Sequence, residues 1–323
     1  MDNVGYFLFS LDLELATGRF DRDSIRHKMF SIDGSRERES IFRLIDLFEQ
    51  FNIVGTWATV GHLFYDKCEH CDPCPIWDRK GKYSSFEEAY GTDNPLWYGS
   101  DIIDELIIRG PRQEIAFHGF SHKVFNENQM SSQDARLEIQ EWLQVSKKRN
   151  ILPEAVVFPR NAIGYLDILR EEGIICYRSE PKRPQLFRTK YLGKFIKNID
   201  SIFGLLSLPI YDVNYHTDQN IVNLPASNCF FDLNRKLELI LDRMNLHNFR
   251  LRRVIQGIKS AANSNKMIHI WAHPCDFRTE KDFIKLRHIF ACVSQEVNMG
   301  RMRSVGMTEM ARIIINKHNI DSA

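Results

Sequence analysis

The order of elements in this chain predicts an α/β fold with a mostly parallel sheet or barrel. Two observations carry that expectation. Short apolar runs alternate with longer amphipathic segments, and strands separated by helices fold as right-handed βαβ units. The clusters of Asp, Glu, His and Arg also fall just after apolar runs, at the carboxyl ends of the strands, where such folds place their sites.

Each element has its own signal. Tyr6 to Leu11 reads as a buried strand, and Ser35 to Phe51 as a helix whose apolar face is Ile41, Leu44, Ile45, Leu47 and Phe48. Val54 to Val60 is a second strand closed by Gly61. Cys68 to Leu96 is rich in Pro, Gly, Cys and charge and reads as the body of an inserted loop at about 66–98. Ser100 to Ile108 is a helix stopped by Gly110-Pro111, and Glu114 to Phe117 is the third strand. Ser131 to Asn150 is a long amphipathic helix with a Ser-Ser-Gln-Asp start. Ala155 to Phe158 is a strand, Gly164 to Glu172 a helix ended by Gly173, and Ile174 to Tyr177 a strand. Pro181 to Asn228 reads as irregular, which inside a compact domain points to function or to wrapping a substrate. Leu233 to Asn263 is one or two helices, Met267 to Trp271 a strand, Thr279 to Val297 a helix, Arg303 to Val305 a short strand, and a last helix runs to Lys317. No linker divides the chain, so a single catalytic domain over 1–323 is expected.

Bulk properties exclude several classes. With 43 Lys and Arg against 42 Asp and Glu, the net charge of +1 gives no polyanion-binding surface, and nucleic acid is not an expected partner. No stretch reaches membrane-spanning length. The first apolar run is short, carries Asp12 and Glu14 and lacks a basic leader. The seven cysteines are odd in number and unevenly spread. Together these features lead to the expectation of a reducing cytoplasm. Contact with a membrane surface and the oligomeric state stay open.

The chemistry concentrates in four places. Glu114-Ile115-Ala116-Phe117-His118-Gly119-Phe120-Ser121-His122 is an apolar run ending in His-x-x-x-His, a spacing that lets two imidazoles meet one divalent ion if the turn between them is helical. The first strand ends in Asp12 and Glu14, which alternation places on one side. Two carboxylates closing an apolar run are costly unless partnered. Arg160 and Asn161 follow the fourth strand and His273 follows Trp271-Ala272. Two histidines, one carboxylate ligand and one spare carboxylate make up an open hydrolytic metal site. Separately, Cys68, Cys71 and Cys74, with His62 and His70 near, are either a second, structural metal site or a solvated loop. Trp77, Trp97 and Tyr98 either stack on sugar rings or form a small core of that loop. Cys275, beside His273, is not expected to be a nucleophile.

On these residues the chain resembles the polysaccharide deacetylases, the NodB-homology group of carbohydrate esterase family four. Gly55-Thr56-Trp57-Ala58-Thr59-Val60-Gly61 is similar to that family's second strand, and His118 to His122 to its His-(Ser/Thr)-x-x-His motif. The carboxylates depart from the usual adjacent Asp-Asp, being an Asp-x-Glu variant, and Phe158-Pro159-Arg160-Asn161 departs from Arg-x-Pro-Tyr. The family's Asp-x-x-x-Trp motif has no clear counterpart; Asp212 is the nearest guess. The resemblance implies a distorted (β/α) barrel of about seven strands. It also implies a metal-dependent deacetylase acting on an N-acylated sugar. Glu14, His118 and His122 would be the ligands, Asp12 the general base, Arg160 its orienting partner and His273 the general acid. A backbone N–H near Asn161 would help hold the oxyanion, and Asn161 and Trp271 would meet the substrate. Zinc is the expected ion, with cobalt, manganese, iron or nickel compatible with the same ligands. A cytoplasmic chain would take a nucleotide- or lipid-linked precursor in surface-polysaccharide or glycoconjugate synthesis. Two other readings stay in view: a deformylase or other amidohydrolase on a small metabolite, and a non-catalytic carbohydrate-binding protein.

Overall fold

The computed structural model describes residues 3–18, 30–67, 94–109, 113–181, 200, 204, 206–213, 217–218, 220–231 and 248–321. Its strands are β1 (Gly5–Leu13), β2 (Gly55–Thr59), β3 (Glu114–Phe117), β4 (Ala155–Val157), β5 (Cys176–Ser179), β6 (Thr217–Asp218), β7 (Ile221–Pro225), β8 (Asn228–Cys229), β9 (Met267–Ala272) and β10 (Met302–Ser304). Its helices are α1 (Ser35–Gln50), α2 (Ser100–Arg109), α3 (Ser132–Lys147), α4 (Leu166–Glu171), α5 (Asn248–Ser264), α6 (Glu280–Asn298) and α7 (Met307–Asp321). The strands form one sheet in the order β6-β7-β5-β4-β3-β2-β1-β9-β8, with β10 beside the first residues of β1. All pairings are parallel except the β6–β7 hairpin.

One continuous segment carries both edges of this sheet. β7 pairs with β5, and β8, which follows almost at once, pairs with β9. Between them Ala226 N–H donates to Ser179 O at 2.9 Å and Ser227 N–H to His269 O at 2.6 Å. The sheet therefore curls into the expected distorted (β/α) barrel. The expectation of irregular chain from Pro181 to Asn228 is corrected here, because β7 lies inside it. Its Asn220, Asn223 and Pro225 mask the strand signal, and no helix separates it from β8.

Alternation along β1 sorts two cores. Phe7, Phe9, Leu11 and Leu13 face outward under the helices, where Phe9, Phe48 and Phe290 meet edge-to-face at 4.8–5.6 Å. Tyr6 and Leu8 face inward with Ala58, Ala116, Ala155, Val157, Cys176 and Leu224. Small residues at these positions let a narrow barrel close. The amino-terminal end is covered by Met307, Met310, Ala311 and Ile314 of α7. At the other end the inward positions turn polar: Ser10, then Asp12, then Glu14.

α7 is docked by a carboxylate. Glu114 accepts from Met307 N at 2.6 Å, Thr308 N at 3.0 Å and Thr56 Oγ1 at 2.5 Å, so it caps the first turn of the helix that covers the barrel. Glu114→Ala strands these donors. It is expected to lower the free energy of unfolding by about 2–3 kcal/mol, read as a lower midpoint in urea with unchanged slope.

Candidate metal centre

Glu14, His118 and His122 come together at the carboxyl end of the barrel, all three buried, with one ligand atom from each within 4.8 Å of the others. His122 Nε2 lies 3.0 Å from Glu14 Oε2 and His118 Nε2 lies 3.5 Å from it. His118 Nδ1 sits 2.6 Å from Val157 O. A carbonyl can only accept, so Nδ1 carries a proton and Nε2 is the ring atom turned toward the carboxylate. That buried Nε2 has no hydrogen-bond partner. Three buried ligand atoms converge here, and this donor set of two imidazoles and one carboxylate fits a divalent metal.

The turn between the histidines is not the helical one expected. The chain leaves β3 through Gly119 at φ 74° and returns at His122 with φ 59°. The non-glycine residues at positive φ also include Leu15, next to Glu14, and Arg160 and Asn161 at φ 57° and 54°. Left-handed backbone costs roughly 1–3 kcal/mol at each such residue. Its gathering around Glu14 and the cleft marks where packing overrides local preference. Gly18 is fitted to the same place: a Cβ there would land on the Glu14 carboxyl group.

Asp12 is held by a different arginine from the one expected. Arg178 of β5 crosses the barrel and grips it with both ends of its guanidinium, Nη1 to Oδ1 at 2.6 Å and Nη2 to Oδ2 at 2.8 Å. Arg178 also donates to Ser10 Oγ at 3.0 Å and Asn161 Oδ1 at 3.2 Å, and lies 4.4 Å over the Trp271 ring. Burial raises the Asp12 carboxyl, but the Arg178 charge and hydrogen bonds, with His118 and His273, hold it below its ordinary value. Burial likewise raises Glu14; His273, His118 and His122 outweigh it and hold that carboxyl well below the usual range. Below them His269 is fully buried. Burial lowers it to about 3, with Arg178 adding to the effect. Its neutral ring faces Ser10 Oγ at 2.9 Å and Leu224 O at 3.3 Å.

A cleft of about 350 Å³ opens over this layer, lined by Asp12, Glu14, Gly18, His122, Arg160, Asn161, Cys229, Phe231, Trp271, His273 and Asp276. His273 Nε2 lies 3.5 Å from Glu14 Oε1 and 4.0 Å from Asp12 Oδ2. Its Nδ1 lies 3.3 Å from Asp276 Oδ2, which supplies the acidic partner that could not be placed in the sequence. Asp212 is not that partner; it pairs with Lys266 at 2.9 Å on the surface.

Arg160 is exposed on the cleft wall, held at left-handed φ in the turn after β4, while Arg178 is the arginine bound to Asp12. The Asn161 N–H donates to Phe158 O at 2.9 Å within that turn, and Asn161 lines the cleft. Trp97 and Tyr98 are buried, and His62, also buried, contacts Trp97 O at 2.9 Å, so these residues belong to the core. Cys68, Cys71, Cys74, His70 and Trp77 lie outside the described residues.

Solved structures share this architecture. One assigned to the polysaccharide deacetylases, from Mycobacterium smegmatis, aligns over 98% of this chain and 92% of its own at 14% identity and a TM-score of 0.57. Another so assigned, from Pseudomonas aeruginosa PAO1, aligns over 97% and 91% at 12% identity and 0.55. Puue allantoinase aligns over 95% and 89% at 12% identity and 0.53. The chain matches no family model and no curated protein. It has the fold of the polysaccharide deacetylases, the NodB-type barrel. No helix among the described residues is long and apolar enough to cross a membrane.

Gly18→Ala is expected to push the Glu14 carboxylate off its position and weaken divalent-ion binding roughly 10–100-fold, with the fold retained. Equilibrium dialysis against zinc, beside circular dichroism, checks both halves.

Proposed function

We propose that this chain is a metal-dependent hydrolase of amide bonds that removes the acyl group of an N-acylated sugar. The observation that carries the proposal is the convergence of buried Glu14, His118 and His122, one ligand atom of each within 4.8 Å of the others. Glu14, His118 and His122 would hold the ion. A divalent ion there supplies a lowered water pKa, about 7 instead of 15.7, and a positive charge for the carbonyl oxygen.

The chain's own residues supply the proton transfers. Asp12 is the general base: the Arg178 clamp keeps it ionised and oriented, with its face toward the cleft available to take a proton from water. His273 is the general acid. Asp276 at its Nδ1 orients the ring so that Nε2 faces the cleft and can protonate the departing nitrogen. An amine leaves poorly unless protonated, so base and acid are both needed, each contributing roughly 10²–10⁴-fold. Trp271 and Phe231 offer aromatic walls for a sugar ring. We take the substrate to be a nucleotide- or lipid-linked precursor in surface-polysaccharide synthesis.

A second reading has one observation in its favour: the likeness to the allantoinase shows the same barrel under a different activity. A panel of N-acetylhexosamines, free and nucleotide-linked, set against formyl and ureido compounds, separates the two. Turnover of the sugars supports the proposal, and turnover of the ureido compounds alone replaces it.

Two variants test the roles. Asp12→Asn is expected to lose about 10²–10⁴ in kcat while retaining metal; full activity would end the mechanism. Arg178→Ala is expected to cost about 10²-fold or more in kcat/KM, and Arg160→Ala less than about 10-fold, reversing the order expected from motif position alone.

A further inference from the structure

Glu138 sits in α3 on the face turned to the barrel, between Ala135 and Trp142, and is buried. Its carboxylate does not line the cleft. It accepts instead from Phe120 N and Ser121 N, both at 2.9 Å to Oε2, and from Ser121 Oγ at 2.5 Å to Oε1. All three donors lie in the short loop between His118 and His122. Lys123 is also near, its Nζ 4.0 Å from Oε1.

That loop has little to hold it from within. It is neither helix nor strand, and it turns at left-handed φ at Gly119 and His122. Its carbonyls are taken from the other side, Gly119 O by Gly61 N and Phe120 O by His62 N, each at 2.9 Å. The N–H groups of Phe120 and Ser121 point the opposite way, into buried surroundings, and three donors converging there call for a group that only accepts. One turn along α3, Trp142 Nε1 donates to Thr59 O at 2.7 Å, which fixes the helix to β2. The loop is thus clamped between the end of β2 and the Glu138 carboxylate.

We propose that Glu138 is a positioning residue for the metal ligands: by holding residues 119–121 it sets where His122 stands relative to His118 and Glu14. The inference rests on the reading of those three residues as the ligand set. A glutamine at this position keeps one oxygen for the two backbone N–H groups and can donate to Ser121 Oγ, so it preserves the clamp. A leucine fills the space and accepts nothing.

The test is Co²⁺ titration of apo-protein, followed by visible absorption, for the wild type, Glu138→Gln, Glu138→Leu and Glu138→Asp, with circular dichroism alongside. The leucine variant is expected to bind Co²⁺ roughly 10–100-fold more weakly with an altered visible band, and the glutamine variant to retain most of the affinity and the wild-type band. Wild-type affinity and band in Glu138→Leu overturn the proposal. Should that variant fail to fold, Glu138→Asp decides, because it keeps the charge on a shorter arm: a shifted band supports positioning, and an unchanged band and affinity overturn it. A wild type that takes up no Co²⁺ removes the ligand reading itself, which separates that failure from one confined to Glu138.

Discussion

The grip of Arg178 on Asp12 organises the polar end of this barrel. Both side chains are buried, and a buried charge is tolerated only when paired and fully hydrogen-bonded. The guanidinium meets that condition by reaching Asp12, Ser10, Asn161 and the Trp271 ring at once, from strands and turns on different sides of the barrel. His269 completes the layer beneath as a neutral ring on Ser10. Breaking the pair would leave a carboxylate and a guanidinium uncompensated in the same dry space.

The pairing also fixes the charge balance above it. Arg178 is spent on Asp12, and the second carboxylate, Glu14, faces His118, His122 and His273. His118 has committed its Nδ1 proton to Val157 O and turns its Nε2 toward Glu14. Glu14 therefore stands beside His118, His122 and His273, where three ligand atoms converge. That convergence of a carboxylate and two imidazoles is the reason to read the site as a cation site. The geometry is maintained at a cost in backbone strain at Leu15, His122, Arg160 and Asn161, and by a glycine at position 18 that leaves room for the carboxylate.

The parts of the site that close apolar runs were legible in the sequence. Asp12 closes β1, and Glu14, His118, His122 and His273 each follow a strand, so the barrel gathers them at strand ends. The α/β class was legible for the same reason, since period-two and period-3.6 segments alternate along the chain. What escaped did so through boundaries and through tertiary contacts. A strand ended at Tyr177 hides Arg178, although alternation from Cys176 through one more residue would have turned it inward. Glu138 lies on the apolar face of an amphipathic helix, where a lone carboxylate was the available signal. Asp276 stands three residues beyond His273 on a turn whose shape depends on the fold. β7 was hidden because a strand that pairs across the barrel needs neither a helix before its successor nor an uninterrupted apolar run. Where Arg160 points is set by a left-handed turn that no spacing rule encodes.

Elemental analysis of the untagged protein, with the His118→Ala/His122→Ala double variant beside it, bears most directly on the central claim that the buried negative charge at Glu14 is balanced by a metal. The account predicts about one divalent ion per chain in the wild type and its loss in the double variant. A wild type that holds no ion after incubation with zinc, cobalt or manganese would contradict it, as would an ion retained undiminished when both histidines are gone.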